Sequence, residues 1–547
     1  MRKNMVRPLK KLAAAGMTAA MLFSLAACGG GGDDAGQTSG GASGGAAPAG
    51  TEARGAADQG GSDAGGAAPA ADGDTYNVVL EWLSIGNTPS EENIQKVEAA
   101  INEITVPEIG CTVTLYPVEL SSLSNDTALA VSTGEKIDLV CSVGTGVGPL
   151  VDQGLIVPLG EYLDGSGQNI QACLGDALTG GYYKGELYGV PNAYVQSESY
   201  GFNARTDLLE KYNIEIDPDR MYTLDDLTEI FAVIREGEGD GFYCVAGNTS
   251  TSDVFTQYYG VVDKLGATTA SGGLLLADNW DNTTIENIYA SEQYRQYAET
   301  MYDWAQKGYI PSDAASNTDT DTTQLQSGNF LGRIAWTTPN SSPNFKAQTG
   351  MDLTDIEMTP PYKATDRYQN ILWSVPVTSE NPEKAFQFLD LLYGDNDLDS
   401  MLMFGLEGET WEMVEDDGNG NRVVKFVDGV DATTAPFYCM AGVYGDRLSW
   451  LMWEPMDIGM NDMMREFNDS VEYVSPALGY SFEITDEVSS KYSAVSSVIS
   501  QYTPIISAGA VDPEQSLAEF NKALKDAGID DVIAENQRQL DAWLAEQ

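Results

Sequence analysis

The sequence predicts an α/β protein in two lobes with a helical C-terminal segment, set behind an export leader and a low-complexity tether. Three observations carry this. Strand-like and helix-like segments alternate from Tyr76 onward. The stretch after the tether, about 470 residues, is too long for one hydrophobic core. The last part reads as successive amphipathic helices without strands between them.

The leader carries five cations, Arg2, Lys3, Arg7, Lys10 and Lys11, and no acid. An apolar run of about 14 residues follows, from Leu12 to Leu25. That is short of the ~20 residues a membrane-spanning helix needs, and it suits a secretory h-region. The run ends in Leu25-Ala26-Ala27-Cys28, with small residues before a cut and a cysteine after it. Residues 1–27 are therefore expected to be a lipoprotein signal peptide. The Cys28 thiol is expected to take a diacylglyceryl group as the mature N-terminus, which holds the chain to the outer face of the cell membrane. Residues 28–75 are largely Gly, Ala, Ser, Asp and Pro. Such a segment cannot bury enough surface to offset its ordering entropy, so it reads as a disordered tether.

In the body, residues 78–83 read as the first strand. Thr88-Pro89-Ser90-Glu91 offers an N-cap, a proline at the first helical position and a capping-box acid. Ile94, Val97, Ile101 and Ile104 follow at helical spacing. Residues 112–118 and 137–141 read as the second and third strands. This alternation argues a largely parallel sheet, in which ligands sit beyond the carboxyl ends of the strands. Residues 82–87 and 142–148 are thus candidate ligand loops. Gly144, Gly146 and Gly148 allow close backbone approach or simply a turn, and they match no phosphate-loop pattern.

Further helices follow from their caps. Thr223–Asp226 precedes Leu227, Ile230, Phe231 and Ile234. Asn381-Pro382 opens a helix closed by Gly394. Asp512-Pro513 opens another that ends near Gly528, and a last helix carries Ile533, Leu540 and Leu544. Residues 411–414 and 423–427 read as paired strands around an acidic turn. That turn has the oxygen alternation of a calcium loop, but Arg422 stands where such a loop needs glycine, so a hairpin is expected.

Composition excludes several functions. The chain has 29 basic and 82 acidic residues, a net charge of −53; without the leader this is 24 − 82 = −58. Such a charge opposes nucleic acid and anionic lipid as partners. There is no histidine. That removes Ser-His-Asp and Cys-His catalysis, histidine metal sites and the commonest general base. Carboxylate-only chemistry such as glycoside hydrolysis survives. Lipidation would consume Cys28 and leave five cysteines, an odd number without a CxxC pair. Neither a disulfide framework nor a thiolate zinc site is expected, although one or two disulfides stay open. No cofactor or metal is expected.

Several runs, taken in order, resemble bacterial extracellular solute-binding proteins of family 1, the carbohydrate-type receptors of ABC importers. Lys184-Gly185-Glu186-Leu187-Tyr188-Gly189-Val190-Pro191 is similar to the family's strand before the lobe crossover. Gly201-Phe202-Asn203-Ala204-Arg205-Thr206-Asp207-Leu208-Leu209 is similar to the run after it. Asn381-Pro382-Glu383-Lys384-Ala385-Phe386-Gln387-Phe388-Leu389 is similar to the helix after the return crossing. Residues 479–543 resemble a C-terminal domain of unknown function found on one branch. The resemblance implies a two-lobed periplasmic-binding-protein-like fold of type II, with a hinge and a ligand between the lobes. Lobe 1 would be 76–194 with 372–394, lobe 2 would be 195–371 with 395–478, and 479–547 would form a mainly helical C-terminal segment. The crossings would lie near 194–197 and 371–374. The resemblance also implies a monomeric, non-enzymatic carbohydrate receptor that delivers its cargo to importer membrane subunits. A peptide or other polar solute, a surface glycoside hydrolase and an adhesin are the alternatives.

A sugar site needs flat aromatic surfaces with polar side chains around them. Trp336 follows a strand-like run at the point where similar receptors place an aromatic in the cleft. Tyr194 and Tyr200 flank the first crossover, Trp373 sits at the second, and Trp82 ends the first strand. Asn203 and Asp138 could receive sugar hydroxyls. A core or bracing role is the alternative for Trp82, Trp336, Trp373, Asn203 and Asp138. Trp450 and Trp453 read as core.

Overall fold

The computed structural model describes residues 75–546 except 86–87, 248–261, 267–269, 277–280, 440–441 and 472. The expected leader, Cys28 and the tether up to Asp74 lie outside the described residues.

The strands Tyr76–Ser84 and Cys111–Glu119 pair in parallel, from Tyr76 opposite Cys111 to Ser84 opposite Glu119. On the other edge of the first strand, Leu80 bridges Leu139 in parallel, which leads into the strand Val140–Val143. Ile371–Ser374 pairs antiparallel with Val140–Val143 on one side and with Val190–Pro191 on the other. The helix Glu91–Ile109 connects the first two strands, as its periodicity predicts, but its cap is Ser90, not Thr88. The Ser90 hydroxyl accepts from the Asn93 N–H at 3.3 Å, so Pro89 precedes the cap and does not begin the helix.

The second lobe holds a four-stranded sheet in the order Leu353–Glu357, Tyr200–Arg205, Phe330–Trp336, Tyr243–Ala246. Only the last pair is parallel. Beside it lies the helix Leu224–Glu238 with the expected capping box: the Thr223 side chain accepts from the Asp226 N–H, and Asp226 accepts from the Thr223 N–H. The acidic turn near 417 is a hairpin turn between Trp411–Asp416 and Arg422–Phe426. Its Asp417 carboxylate accepts from the backbone N–H groups of Asn419 and Asn421.

The cores correct the expected lobe boundaries. Leu398, Leu402, Phe404, Phe437, Tyr444 and Trp450 share one continuous core with Val78, Leu80 and Trp82. The described residues 396–439 and 442–453 therefore complete lobe 1, where the sequence reading put 395–478 in lobe 2. The physical reason is specific pairing: Trp82 Nε1 donates to Leu402 O at 3.0 Å, and the Leu83 N–H donates to Tyr444 Oη at 3.2 Å. The C-terminal helices Asp486–Ser507, Pro513–Ala527 and Ile529–Leu544 are likewise no separate segment. Val495, Ile499, Phe520 and Leu524 share a core with Tyr294, Tyr297 and Met301 of lobe 2. Burying each such side chain is worth about 1.5–3 kcal/mol, so these helices are part of what holds lobe 2 together.

Among the described residues, three chain crossings join the lobes. The first is 194–199. The return lies at 364–370, one step before the expected 371–374, which is a strand inside lobe 1. The third, unforeseen, runs through 454–471 and ends where Tyr473–Val474 pairs with Tyr362–Lys363. Asn468 on the helix Met460–Asp469 ties it to the first crossing. Its side-chain oxygen accepts from the Gln196 and Ser197 N–H groups at 2.9 and 3.3 Å, and its amide donates to Tyr194 O at 2.6 Å.

Candidate ligand site between the lobes

The carboxyl ends of strands from both lobes converge on the crossings. In lobe 1, Cys439 and Tyr444 cover the Leu83 end of the first strand: Cys439 Sγ donates to Leu83 O at 3.2 Å and the Leu83 N–H donates to Tyr444 Oη at 3.2 Å, while the Arg447 N–H donates to Ala193 O at 2.8 Å. The Gly144 N–H, past the end of Val140–Val143, donates to Asn370 O of the return crossing at 2.7 Å. In lobe 2, the strand Phe330–Trp336 ends at Trp336, and the turn beyond it sends Asn340 to the first crossing, where its amide donates to Tyr194 Oη at 2.5 Å.

Two aromatic rings stand at this junction, each with a guanidinium on its face. Arg367 lies 3.5 Å from the centroid of Trp336, and Arg447 lies 3.6 Å from that of Tyr194. Both rings are half-buried, so they keep surface open to solvent. Tyr200, opposite Trp336 in the sheet, braces it edge-to-face at 6.4 Å. Arg367 also forms an ion pair with Glu198, whose other oxygen accepts from Tyr362 Oη at 2.9 Å. Burial pushes the Glu198 carboxyl up, but Arg367 and Lys264 more than offset it, so it sits below the ordinary glutamate value and stays ionised. Trp336 is thereby held between a braced tyrosine and a neutralised arginine.

Four of the residues singled out from sequence are elsewhere. Trp82 is fully buried on Phe437 with its N–H satisfied by Leu402 O, and Trp373 is fully buried, stacked on Tyr444, with its N–H donated to Val443 O at 2.7 Å. Both are core residues, because Phe437, Val443 and Tyr444 pack over the sheet end that the sequence leaves open. Asp138 sits at the amino end of its strand, away from the junction. It accepts from the Val79 N–H at 2.8 Å and the Ser379 hydroxyl at 2.6 Å, and it pairs with Lys136 at 3.2 Å. Asn203 is buried in mid-strand with its amide on Asp355, which also receives the Ser342 hydroxyl at 2.6 Å. Burial raises the Asp355 carboxyl, against the pull of Ser342 and Asn203. These two support the start of the helix Ser341–Thr349 from beneath. Of the candidate loops, 86–87 lie outside the described residues.

Tyr194, Tyr200 and Trp336 do come together. Arg367, Arg447, Glu198 and Asn340 were not singled out from sequence. No motif marks them; only the meeting of three distant segments does. Among the described residues no group of three or more Cys, Asp or Glu could hold a metal, all five cysteines 111, 141, 173, 244 and 439 are free, and no helix is long and apolar enough to cross a membrane.

The sequence profile of the bacterial extracellular solute-binding proteins matches residues 99–402. The chain belongs to that family. Residues 476–545 of this solute-binding protein also match a domain of unknown function, DUF3502, which corresponds to the C-terminal helices of lobe 2. A carbohydrate ABC transporter substrate-binding protein of Streptococcus pneumoniae serotype 4 is 26% identical over 475 residues, covering 85% of this chain and 91% of its own. The fold is that of an N-glycan transport solute-binding protein (NgtS) from Streptococcus pneumoniae, with a TM-score of 0.72 at 22% identity over 86% of this chain and 99% of that one. The same protein in complex with Man5GlcNAc matches at 0.61 and 21% identity over the same shares. An HMO-binding, ABC-transporter-associated solute-binding protein from Bifidobacterium longum infantis matches at 0.60 and 17% identity, again over 86% and 99%. These likenesses establish the two-lobed type II fold.

Proposed function

We propose that this solute-binding protein captures a carbohydrate, an oligosaccharide in particular, between its lobes and delivers it to the membrane subunits of an ABC importer. It does so as a monomer, without catalysis, anchored to the outer face of the cell membrane by a lipid on Cys28. The carrying observation is the pair Trp336 and Tyr194, two part-exposed rings at the convergence of both lobes' strand ends. A sugar presents C–H faces to such rings and hydroxyls to the polar groups around them. The names of the relatives support the same class: one is a carbohydrate transporter subunit and another is solved with Man5GlcNAc. Capture would work by differential affinity, the ligand stabilising the arrangement in which both lobes touch it.

Calorimetric titration of the chain from Thr75 onward with mono- and oligosaccharides tests this. One-to-one micromolar or tighter binding to an oligosaccharide, with no product on chromatography, is the expected result. Steady release of sugar fragments would make the protein a hydrolase, and no binding across the panel would sink the carbohydrate reading. The anchor is checked separately: Cys28→Ala should move the protein from membranes to the medium, and retention would refute lipidation.

A further inference from the structure

In a chain with 82 acids against 29 bases, an arginine without an acid stands out. Every other arginine among the described residues has a carboxylate oxygen within 4.0 Å. Arg447 has none, and its guanidinium makes no hydrogen bond among the described residues. It is held nonetheless. Its N–H donates to Ala193 O, Ala193 bridges Asp446, and its guanidinium lies flat enough on Tyr194 to come within 3.6 Å of the ring centroid, with Trp450 at 5.5 Å. Nearby acids are engaged elsewhere. Asp446 accepts from the Leu448 N–H at 3.0 Å, and Asp399 accepts from the Asp446 N–H at 2.9 Å. Stacking on a ring occupies the face of a guanidinium and leaves its edge of N–H donors free. Arg447 stands at the candidate site beside Gly442, one ring away from Asn340 of the opposite lobe.

A guanidinium edge matches a carboxylate with two parallel hydrogen bonds. Arg367, the counterpart on Trp336, cannot serve this way, because Glu198 already neutralises it. We propose that Arg447 selects an acidic sugar: its edge pairs with a carboxylate on the captured oligosaccharide, as on a uronic acid unit. This rests on the reading of the junction as an oligosaccharide site. Arg447 supplies a positive charge there that no acid among the described residues pairs with, and it would distinguish an acidic glycan from its neutral analogue inside a protein whose overall charge repels anions.

The test titrates the chain from Thr75 onward with uronic-acid oligosaccharides and with their carboxyl-reduced, neutral forms. The wild type should bind the acidic form at least tenfold tighter, and the preference should shrink as salt rises. Arg447→Gln should abolish the preference, weakening the acidic form at least tenfold more than the neutral form. Arg447→Lys should keep part of it, since charge remains and the planar fork does not. Equal binding of both forms by the wild type, or equal weakening of both by Arg447→Gln in a variant of unchanged melting temperature, overturns the proposal and leaves the oligosaccharide reading intact. A sulfated, carboxyl-free oligosaccharide that binds tighter than the uronic one overturns the carboxylate assignment. No binding of any form removes the oligosaccharide reading and this proposal together.

Discussion

Trp82 and Trp373 in lobe 1 differ from Trp336 and Tyr194 at the lobe junction in what their polar atoms and faces meet. The first two give their N–H groups to backbone carbonyls and have no exposed surface. The second two carry a guanidinium on one face and are only half-buried. All four were chosen by one rule, position at a strand end or crossing. The rule fails where a later segment returns to cover the strand end, as Cys439 and Tyr444 do over Leu83. An aromatic at a sheet end is a ligand platform only if the chain leaves it uncovered.

The sharpest way to break this comparison is truncation on both sides. Trp82→Ala or Trp373→Ala should cost about 3–5 kcal/mol in urea unfolding. Trp336→Ala should cost far less stability but weaken oligosaccharide binding about tenfold or more, through loss of a stacking surface. The reverse pattern would exchange their roles.

Glu81, beside Trp82 on the same strand, probes the dryness of that core. Burial raises its carboxyl to about 7, against hydrogen bonds from the Cys141 N–H and the Thr127 hydroxyl. An unfolded glutamate titrates near ~4.3. Between those values the folded state keeps a proton that the unfolded state has released, so stability falls as pH rises. The loss should reach about 3 kcal/mol by neutrality, at about 1.4 kcal/mol per unit. Glu81→Gln should flatten denaturation midpoints measured from pH 4.5 to 7.5. A wild type that gains stability over that range through this residue would contradict a buried Glu81.

At the junction, Asn468→Ala should cost about 1–3 kcal/mol, because it strands the Gln196 and Ser197 N–H groups and the Tyr194 carbonyl. Unfolding that proceeds with an unchanged midpoint would show that the third crossing does not brace the first. The smallest effect belongs to the surface. Lys184 of lobe 1 reaches Asp152 at 2.8 Å and Glu483 of lobe 2 at 3.1 Å. Such exposed pairs are worth about 0–1 kcal/mol, so Glu483→Gln should change ligand affinity by less than about fivefold at physiological salt.

Local chemistry made much of the fold legible. Thr223–Asp226, Asn381-Pro382 and Asp512-Pro513 cap helices where their side chains predict, and Gly528 closes a helix with a φ of 97°. The strands flanking the acidic turn pair as the hairpin that their pattern predicts. Lobe membership was not legible. Leu402 and Tyr444 look like any apolar residues, and only their partners Trp82 and Leu83, more than three hundred residues earlier, place them in lobe 1. The same holds for the site. Tyr194, Tyr200 and Trp336 could be picked by type and position, whereas Arg367, Arg447 and Asn340 gain meaning only when three crossings meet.

Small-angle X-ray scattering of the chain from Thr75 onward, alone and saturated with the tightest oligosaccharide from titration, tests the central claim that the ligand is gripped between two lobes. The radius of gyration should fall on binding in the wild type, and the shift should be lost in Trp336→Ala at the same ligand concentration. An unchanged radius at full occupancy of the wild type would contradict capture between the lobes.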